Sequence, residues 1–290
     1  MDFLRPSTWE EALAVKATHP DAVPIAGGTD LMVELNFDRR RPPVLLDLTA
    51  IPDLAGWGTD GAVLRVGAGV SYTRIIAELG DRLPGLAMAS RTVGSPQIRN
   101  RGTVGGNLGS ASPAGDAHPP LLASDAVVEV ASVRGTRMIP ITEFFTGVKR
   151  HVLAPDELIA AFRVAPADGP QQFAKVGTRN AMVIAVCSFA IALHPATGTV
   201  GTGIGSAAPT PRRATAAERF LAAELPWESR LPLPDSFVDR FGHLVASAAD
   251  PIDDVRGTAD YRRHALAVMA RRTLRWAWHE YREGGTARCA

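Results

Sequence analysis

A chain of 290 residues is long enough for two or three domains. Its apolar fraction of 46% and charged fraction of 21% are those of a folded protein, which excludes an intrinsically disordered chain. The 31 basic and 30 acidic residues leave a net charge of +1, so no basic field points to a nucleic-acid partner.

Few residues are suited to metal binding or to disulfide formation. Only Cys187 and Cys289 are present, which is too few for a disulfide framework or for the four thiolates of an iron–sulfur cluster. The seven histidines are scattered without the spacing of a zinc site. We therefore expect no metal on this chain and a structural role for Cys187, which is surrounded by apolar residues.

The sequence gives no sign of membrane targeting. MDFLRPSTWEEAL lacks the apolar core of a signal peptide. The most apolar run, residues 181–193, is too short to cross a bilayer. These features predict a cytoplasmic protein without a membrane span.

The first fifty residues predict a small β-α-β unit. Ser7 and Glu10 form a candidate capping box for a helix that extends to Thr18. AVPIAGGTDLMVEL reads as a strand that breaks at the glycine pair and resumes at residues 31–35, and PVLLDL reads as a buried strand.

The middle of the chain predicts several strands and one helix. The helix starts at Ser71 or Thr73, and VRG at residues 133–135 is a hairpin turn. Residues 165–172 form the best linker candidate. The predicted strands are residues 62–70, 126–132, 136–141 and 157–164.

The C-terminal part predicts strands followed by a long helix. FAKVGTRNAMVIAVCSFAIAL and TVGTGIGSAA read as strands with one tight turn at residues 195–198. The helix covers residues 259–283 and ends at Gly284 and Gly285. Its apolar stripe consists of Leu266, Met269, Ala270, Thr273, Trp276 and Ala277.

Two glycine-rich segments carry the functional signal: IAGGTDL, residues 25–31, and RGTVGGNLGSASPAGD, residues 101–116. Paired glycines let backbone N–H groups approach an anion, and Thr29, Thr103, Asn107 and Ser110 add hydrogen-bonding side chains. A carboxylate such as Asp116 suits sugar hydroxyls. Together these residues favour a dinucleotide. Neither segment fits GxGxxG or the P-loop, however, and spacing alone supports only a phosphate-binding protein.

The chain resembles the FAD-binding middle subunits of the molybdenum hydroxylases, the family of xanthine dehydrogenase and aerobic carbon monoxide dehydrogenase. The matching motifs occur in family order across nearly the whole chain. They are AGGTDL, IRNRGTVGGNLGSASPAGD, FFTG, APDELI, FAKVGTR and DVRGTADYRR.

The resemblance implies an α+β fold. A two-subdomain FAD-binding domain of the vanillyl-alcohol-oxidase (PCMH) type, residues 1–52 and 53–168, would precede a C-terminal α+β domain like that of the carbon monoxide dehydrogenase flavoprotein, residues 169–290. It also implies that the diphosphate lies between the two glycine segments, with Asp116 near hydroxyls, Leu158 or Ile159 on the flavin ring and Lys175 near its polar edge. The implied cofactor-binding residues are Ile25, Ala26, Gly27, Gly28, Thr29, Asp30, Leu31, Thr103, Val104, Gly105, Gly106, Asn107, Asp116, Leu158, Ile159 and Lys175.

Several residues keep two interpretations. Lys175 either approaches the flavin or is a solvated lysine at a strand edge. Arg99 and Arg101 either face the phosphates or lie on the surface. His118 has no paired nucleophile, which favours a structural or interfacial role over a catalytic one.

The resemblance implies an electron-transfer subunit without catalytic residues of its own. A small partner would carry two [2Fe–2S] clusters and a large partner the molybdopterin, as a dimer of heterotrimers, with NAD⁺ or another compound as acceptor. AGGTDL resembles the xanthine dehydrogenase and N-heterocycle branch, so a purine, another N-heterocycle or an aldehyde is the expected substrate. The alternatives are a carbon monoxide dehydrogenase medium subunit, a free-standing FAD oxidoreductase and a non-catalytic assembly factor.

Overall fold

The computed structural model describes residues 1–284, which form two hydrophobic cores. The first core contains residues from Ala12 to Val164, and the second contains residues from Cys187 to Trp278. Gly285, which the sequence analysis assigned to the end of the last helix, and Cys289 lie outside the described residues.

The N-terminal unit is a β-α-β-α-β arrangement, so the predicted β-α-β unit is confirmed. Its three parallel strands are in the order β1-β3-β2. The elements are β1 (Asp2–Leu4), α1 (Trp9–Thr18), β2 (Val23–Ile25), α2 (Leu31–Asn36) and β3 (Val44–Asp47). The predicted capping box is wrong by one residue, because Thr8 accepts from the Glu11 N–H and the Glu11 carboxylate accepts from the Thr8 N–H.

The predicted second half-strand at residues 31–35 is wrong, because these residues form α2. Asp30 is in the N-cap position, and Leu35 is buried whereas Met32 and Val33 are exposed. Burial of one face at helical spacing replaces the alternation that a strand would show. The first glycine segment, residues 25–31, therefore connects the end of β2 to the start of a helix.

Residues 57–164 form a five-stranded antiparallel sheet in the order β4-β5-β10-β6-β7, with helices beside it. The strands of this sheet are β4 (Trp57–Asp60), β5 (Val63–Gly67), β6 (Val127–Ser132), β7 (Gly135–Pro140) and β10 (Leu158–Val164). A separate antiparallel pair is formed by β8 (Phe145–Gly147) and β9 (Arg150–His151). The helices are α3 (Tyr72–Glu78), α4 (Pro84–Arg91), α5 (Pro96–Arg101), α6 (Val104–Ser110), α7 (His118–Ala123) and α8 (Ile141–Phe144). The predicted strands, the VRG hairpin and the Ser71 cap of α3 are confirmed.

The C-terminal domain packs three helices on an antiparallel sheet of order β11-β12-β13. The strands are β11 (Gln171–Val176), β12 (Cys187–His194) and β13 (Thr199–Gly205), and the helices are α9 (Thr215–Glu224), α10 (Asp235–Ser247) and α11 (Ala259–Arg282). The turn at residues 195–198 is confirmed. The sequence analysis missed the departure of the chain from the sheet at residues 177–186, and it assigned the first two residues of β11 to the linker.

The long C-terminal helix is confirmed, but one member of its predicted apolar stripe is wrong. Trp276 is 50% exposed, whereas Trp278 is buried and donates its indole N–H to the Leu231 carbonyl. Leu266, Met269, Ala270, Thr273 and Ala277 are buried as expected.

A small apolar cluster joins the two domains. Ala89 of α4 and Ala123 of α7 pack against Phe173 of β11 and two alanines of β12. Gln171 fixes this junction, because its side-chain oxygen accepts from the Gly85 N–H and its amide donates to Ser124. The junction places β11 beside the helices of the first domain.

Candidate functional site

The two glycine segments touch each other. Gly27 lies so close to the second segment that a Cβ on it would overlap the carbonyl oxygen of Arg101. Only glycine permits this approach. The segments are therefore packed against each other and are not two unrelated turns.

Part of the second segment is helical, which the sequence analysis did not predict, because residues 104–110 form α6. Ser95 caps α5 with Pro96 at the first helical position, and Thr103 caps α6 by accepting from the Gly106 N–H at 2.9 Å. A Ser-Pro pair and a threonine N-cap are signals for helix starts. They hold the glycines of residues 105–106 in a fixed first turn of α6.

Internal packing accounts for some of the glycines and not for others. A Cβ on Gly105 would overlap Ala68, so this glycine serves the contact between α6 and the end of β5. A Cβ on Gly106 would meet only its own cap, the Thr103 hydroxyl, 3.1 Å away. Gly106 is exposed. The space in front of Gly106 is therefore free for a ligand.

Asp116 is a buried carboxylate of which only one oxygen accepts hydrogen bonds. Its side chain is 8% exposed, and Oδ2 accepts from the Lys175 ammonium at 2.5 Å and from the Thr92 hydroxyl at 3.3 Å. Oδ1 has no hydrogen-bond partner. Burial raises the pKa of Asp116 to about 6, although Lys175 and Thr92 act to lower it. A buried carboxylate oxygen without a donor is a strong candidate for a ligand hydroxyl.

Lys175 belongs to the second domain but completes this site. It lies on β11, its side chain is 7% exposed, and its ammonium also donates to the Thr92 carbonyl at 3.2 Å. The interpretation as a solvated lysine is therefore wrong. Asp116 and Lys175, predicted separately, form one ion pair that joins the two domains.

Tyr72 is a site residue that the sequence analysis missed. It is buried, and its N–H donates to the Gly102 carbonyl at 3.0 Å. Burial raises its pKa, and the charges of Asp116 and Asp30 raise it further. Tyr72 therefore lies near carboxylates of both glycine segments. No pattern around it in the sequence signals this position.

The other predicted residues differ in their access to the site. Five residues of the first segment are half-buried: Ile25, Ala26, Gly28, Thr29 and Leu31. Val104 of the second segment lies in the first core. Leu158 is 1% exposed, while the Ile159 side chain lies 3.7 Å from the position of a Cβ on Gly109. Both residues belong to the first core, and Ile159 in addition borders the second segment.

His118 and Asn107 bind the second segment to α7. The Nε2 of His118 lies 3.1 Å from the Asn107 carbonyl, and the Asn107 side-chain oxygen accepts from the Ala117 N–H. His118 is completely buried, which lowers its pKa to about 4 and keeps it neutral. These contacts support the structural interpretation of His118.

Arg99 and Cys187 also have structural contacts. One nitrogen of Arg99 donates to the carbonyls of Arg91, Val93 and Gly94, while Arg101 is exposed. Cys187 is fully buried, and burial raises its pKa to about 12. Its thiolate form is therefore disfavoured, which suits an inert core thiol.

The comparisons with known proteins identify the family of this chain. Residues 1–167 match the model of the FAD binding domain in molybdopterin dehydrogenase, and residues 172–277 match that of the CO dehydrogenase flavoprotein C-terminal domain. The chain belongs to this family of FAD-binding dehydrogenase subunits. The family resemblance, the α+β fold class and the assignment as an oxidoreductase subunit are thereby confirmed.

Individual relatives cover between about two thirds and nearly all of the chain. The xanthine dehydrogenase FAD-binding subunit of Escherichia coli O157:H7 is 30% identical over 283 residues, 94% of each chain. The nicotinate dehydrogenase FAD-subunit of Eubacterium barkeri is 35% identical over 194 residues, 64% of this chain and 66% of the relative. The carbon monoxide dehydrogenase structure from Hydrogenophaga pseudoflava gives a TM-score of 0.88 at 28% identity, over 96% of this chain and 97% of the other.

Residues 1–284 contain neither a candidate membrane span nor a candidate metal site. No helix in this range is long and apolar enough to span a membrane. No group of three or more His, Cys, Asp or Glu side chains in the same range could hold a metal ion.

Proposed function

We propose that this chain is the FAD-carrying electron-transfer subunit of a molybdenum hydroxylase complex. Its partners would be a small subunit with two [2Fe–2S] clusters and a large molybdopterin subunit, arranged as a dimer of heterotrimers in the cytoplasm. The observation that supports the role of this chain is the joined pair of glycine segments, with open space at Gly106 and a donor-free oxygen on buried Asp116.

The chain's residues would hold FAD in three ways. Main-chain groups of residues 26–30 and 103–107 would face the diphosphate, where the absence of a side chain at Gly106 permits close contact. Oδ1 of Asp116 would accept a hydroxyl of the nucleotide. Ile159, with Leu158 behind it, would pack on the flavin ring. Residues 1–52 and 53–168 would be the two subdomains that enclose the nucleotide, and residues 169–290 would be the domain that closes the site.

Bound FAD would supply the capacity to accept electrons from the partner subunits and to deliver them to an acceptor. The protein groups would set the environment of that chemistry. Lys175 would keep Asp116 ionised through their ion pair, so that the free oxygen of Asp116 accepts a ligand hydroxyl. No residue of this chain acts as an acid or base in the substrate hydroxylation, which would occur on the large partner.

We propose NAD⁺ as the acceptor and a purine or another N-heterocycle as the substrate, with an aldehyde as the next choice. AGGTDL and relatives named for xanthine and nicotinate support the N-heterocycle. The structural likeness to carbon monoxide dehydrogenase supports a second candidate, the medium subunit of such an enzyme.

Purification of the full chain tests the proposal. We expect a yellow protein that releases FAD in a ratio near one per chain, and whose flavin is bleached by NADH under anaerobic conditions. A colourless chain that gains no flavin on incubation with FAD would contradict the function. A yellow chain that reacts only with other reductants would retain the FAD subunit and exclude NAD⁺.

A further inference from the structure

Gln171 is a buried polar residue whose side-chain hydrogen bonds both cross the boundary between the two domains. It is 4% exposed. Its side-chain oxygen accepts from the Gly85 N–H at 3.1 Å, and its amide donates to the Ser124 hydroxyl at 3.2 Å. Gly85 lies in the first turn of α4, where a main-chain N–H has no partner within the helix. Gln171 therefore caps a helix of the first domain from the second domain.

Alternate residues of β11 contact α4 from its first turn to its end. Gln171, Phe173 and Lys175 lie on one face of the strand, because side chains alternate between the two faces. Gln171 binds Gly85, and Phe173 packs in one cluster with Ala89. Lys175 donates to the carbonyl of the C-cap residue of α4. The strand and the helix therefore lie side by side and run in the same direction.

The two contacting stretches also match in length. Residues 85–92 span about 10 Å of helix, at a rise of about 1.5 Å per residue. Residues 171–175 span about 13 Å of strand, at a rise of about 3.3 Å per residue. A slip of the strand by one residue would turn Lys175 to the opposite face. The contacts of Gln171 therefore fix the register that brings the Lys175 ammonium to Asp116.

The ionisation of Asp116 depends on this register. Lys175 of β11 supplies the positive charge beside the carboxylate. The titratable groups near it on α3 and α7 are Tyr72 and His118, and burial keeps both of them neutral. The Thr92 hydroxyl, which also donates to Asp116, carries no charge. A looser contact with Lys175 would therefore leave the effect of burial on the carboxylate less offset.

We propose that Gln171 is a positioning residue that holds Lys175 against Asp116 and thereby maintains the carboxylate that binds a hydroxyl of the flavin nucleotide. Gln171 acts through β11 and through its contact with α4. The inference rests on the proposed function for the identity of the ligand, whereas its effect on Asp116 concerns the protein alone.

The test is an NMR titration of the full chain with isotopically labelled aspartate carboxyls, in which Asp116→Asn identifies the Asp116 signal. The variant is Gln171→Met, which keeps the length of the side chain and removes both hydrogen bonds. Gln172→Met is the matched control, because Gln172 is the next residue of β11 and its amide donates to Glu280 within the second domain. The affinity for FAD is measured over the same pH range by flavin fluorescence.

We expect the titration midpoint of Asp116 to move to higher pH in Gln171→Met and to stay in place in Gln172→Met. FAD should bind Gln171→Met about fivefold more weakly at neutral pH, and its affinity should begin to fall at a higher pH than in the wild type. A midpoint that is unchanged in folded Gln171→Met, or equally shifted in the control, would overturn the inference. FAD binding that is weakened by the same factor at every pH would reduce Gln171 to a structural residue and overturn it as well.

Ser124→Ala provides the test if Gln171→Met does not fold. It removes one of the two hydrogen bonds and leaves Gln171 in place, so the midpoint should move in the same direction by a smaller amount. An unchanged midpoint in Ser124→Ala would then contradict the inference. A wild type that binds no FAD would contradict the proposed function, whereas the titration of Asp116 is measured on the protein alone and still decides the role of Gln171.

Discussion

Two carboxylates of the two domains, Asp116 and Asp254, are each held by a nearly buried cation, yet their surroundings differ. Both oxygens of Asp254 are used, because Arg262 and the Arg256 N–H donate to one and the Arg256 guanidinium donates to the other. Asp116 pairs with Lys175 through one oxygen only, and the other has no donor.

The pKa values of the two groups shift in opposite directions. Hydrogen bonds from Arg256, and then from Arg262, lower the pKa of Asp254. Burial raises the pKa of Asp116 to about 6, and its partners offset this only in part. Full pairing is what a structural ion pair needs, whereas incomplete pairing of a buried charge costs stability unless a ligand completes it. Asp254 thus has the contacts of a structural carboxylate, whereas Asp116 has those expected of a carboxylate that binds a ligand.

The largest effect is expected from Asp254→Ala. Arg262 is 2% exposed and would lose its half-buried carboxylate partner, which leaves a buried cation unpaired, so the free energy of unfolding should fall by about 3 kcal/mol. Chemical denaturation measures this value, and the flavin content of the folded fraction should stay unchanged. As a control, Asp235→Ala removes an exposed partner of Arg275 and should cost less than about 0.5 kcal/mol. Equal losses in the two variants would contradict a structural role for Asp254.

Lys175→Met should act on flavin rather than on folding alone. It removes the ammonium that holds Asp116 ionised, so the pKa of Asp116 should rise further and its oxygens should accept more weakly. We expect FAD to bind about thirtyfold more weakly, equivalent to about 2 kcal/mol, as measured by flavin fluorescence during titration. Lys149→Met, which removes an exposed partner of Glu34, is the control and should leave the affinity unchanged. Unchanged affinity in Lys175→Met would separate Lys175 from the site.

The smallest effect is that of pH, to which Asp116 and Asp254 respond over different ranges. Below pH 6 Asp116 takes up a proton, so FAD should bind about tenfold more weakly at pH 5 than at pH 7.5. The raised pKa means that the folded protein binds this proton more tightly than the unfolded chain, so acidification does not destabilise the fold through Asp116. The stabilisation from Asp254 is fully present above its unfolded pKa of about 4 and is lost only below it. Flavin affinity that is constant from pH 7.5 to 5 would contradict the role given to Asp116.

Much of the fold could be predicted because the local signals were strong. Buried strands such as residues 126–132 and the long C-terminal helix follow from apolar periodicity. The errors have local causes. The apolar residues 31–33 have the composition of a strand but form part of α2. The glycines after Thr103 are poor helix formers, so α6 was not predicted although a threonine N-cap precedes it.

The contacts between segments could not be predicted from residue patterns. The glycine segments, which include Asp116, could be identified because they are unusually rich in glycine. The family resemblance then implied that they bind FAD. The ion pair between Asp116 and Lys175 joins residues that are 59 positions apart and lie in different domains. Tyr72 contacts the second glycine segment through its main-chain N–H, which donates to the Gly102 carbonyl. Such contacts depend on how the domains dock, which no local pattern records.

The most direct test of the central claim is the ratio of FAD to protein in purified Gly106→Val. A valine there projects into the open space before the glycine segments without meeting a packed neighbour other than Thr103. The account predicts a folded protein, with a thermal unfolding midpoint close to that of the wild type, that contains almost no flavin. Gly109→Ala, where a Cβ makes only an ordinary contact with Ile159, should keep its flavin. Full flavin in folded Gly106→Val would contradict the claim that the two segments hold the diphosphate.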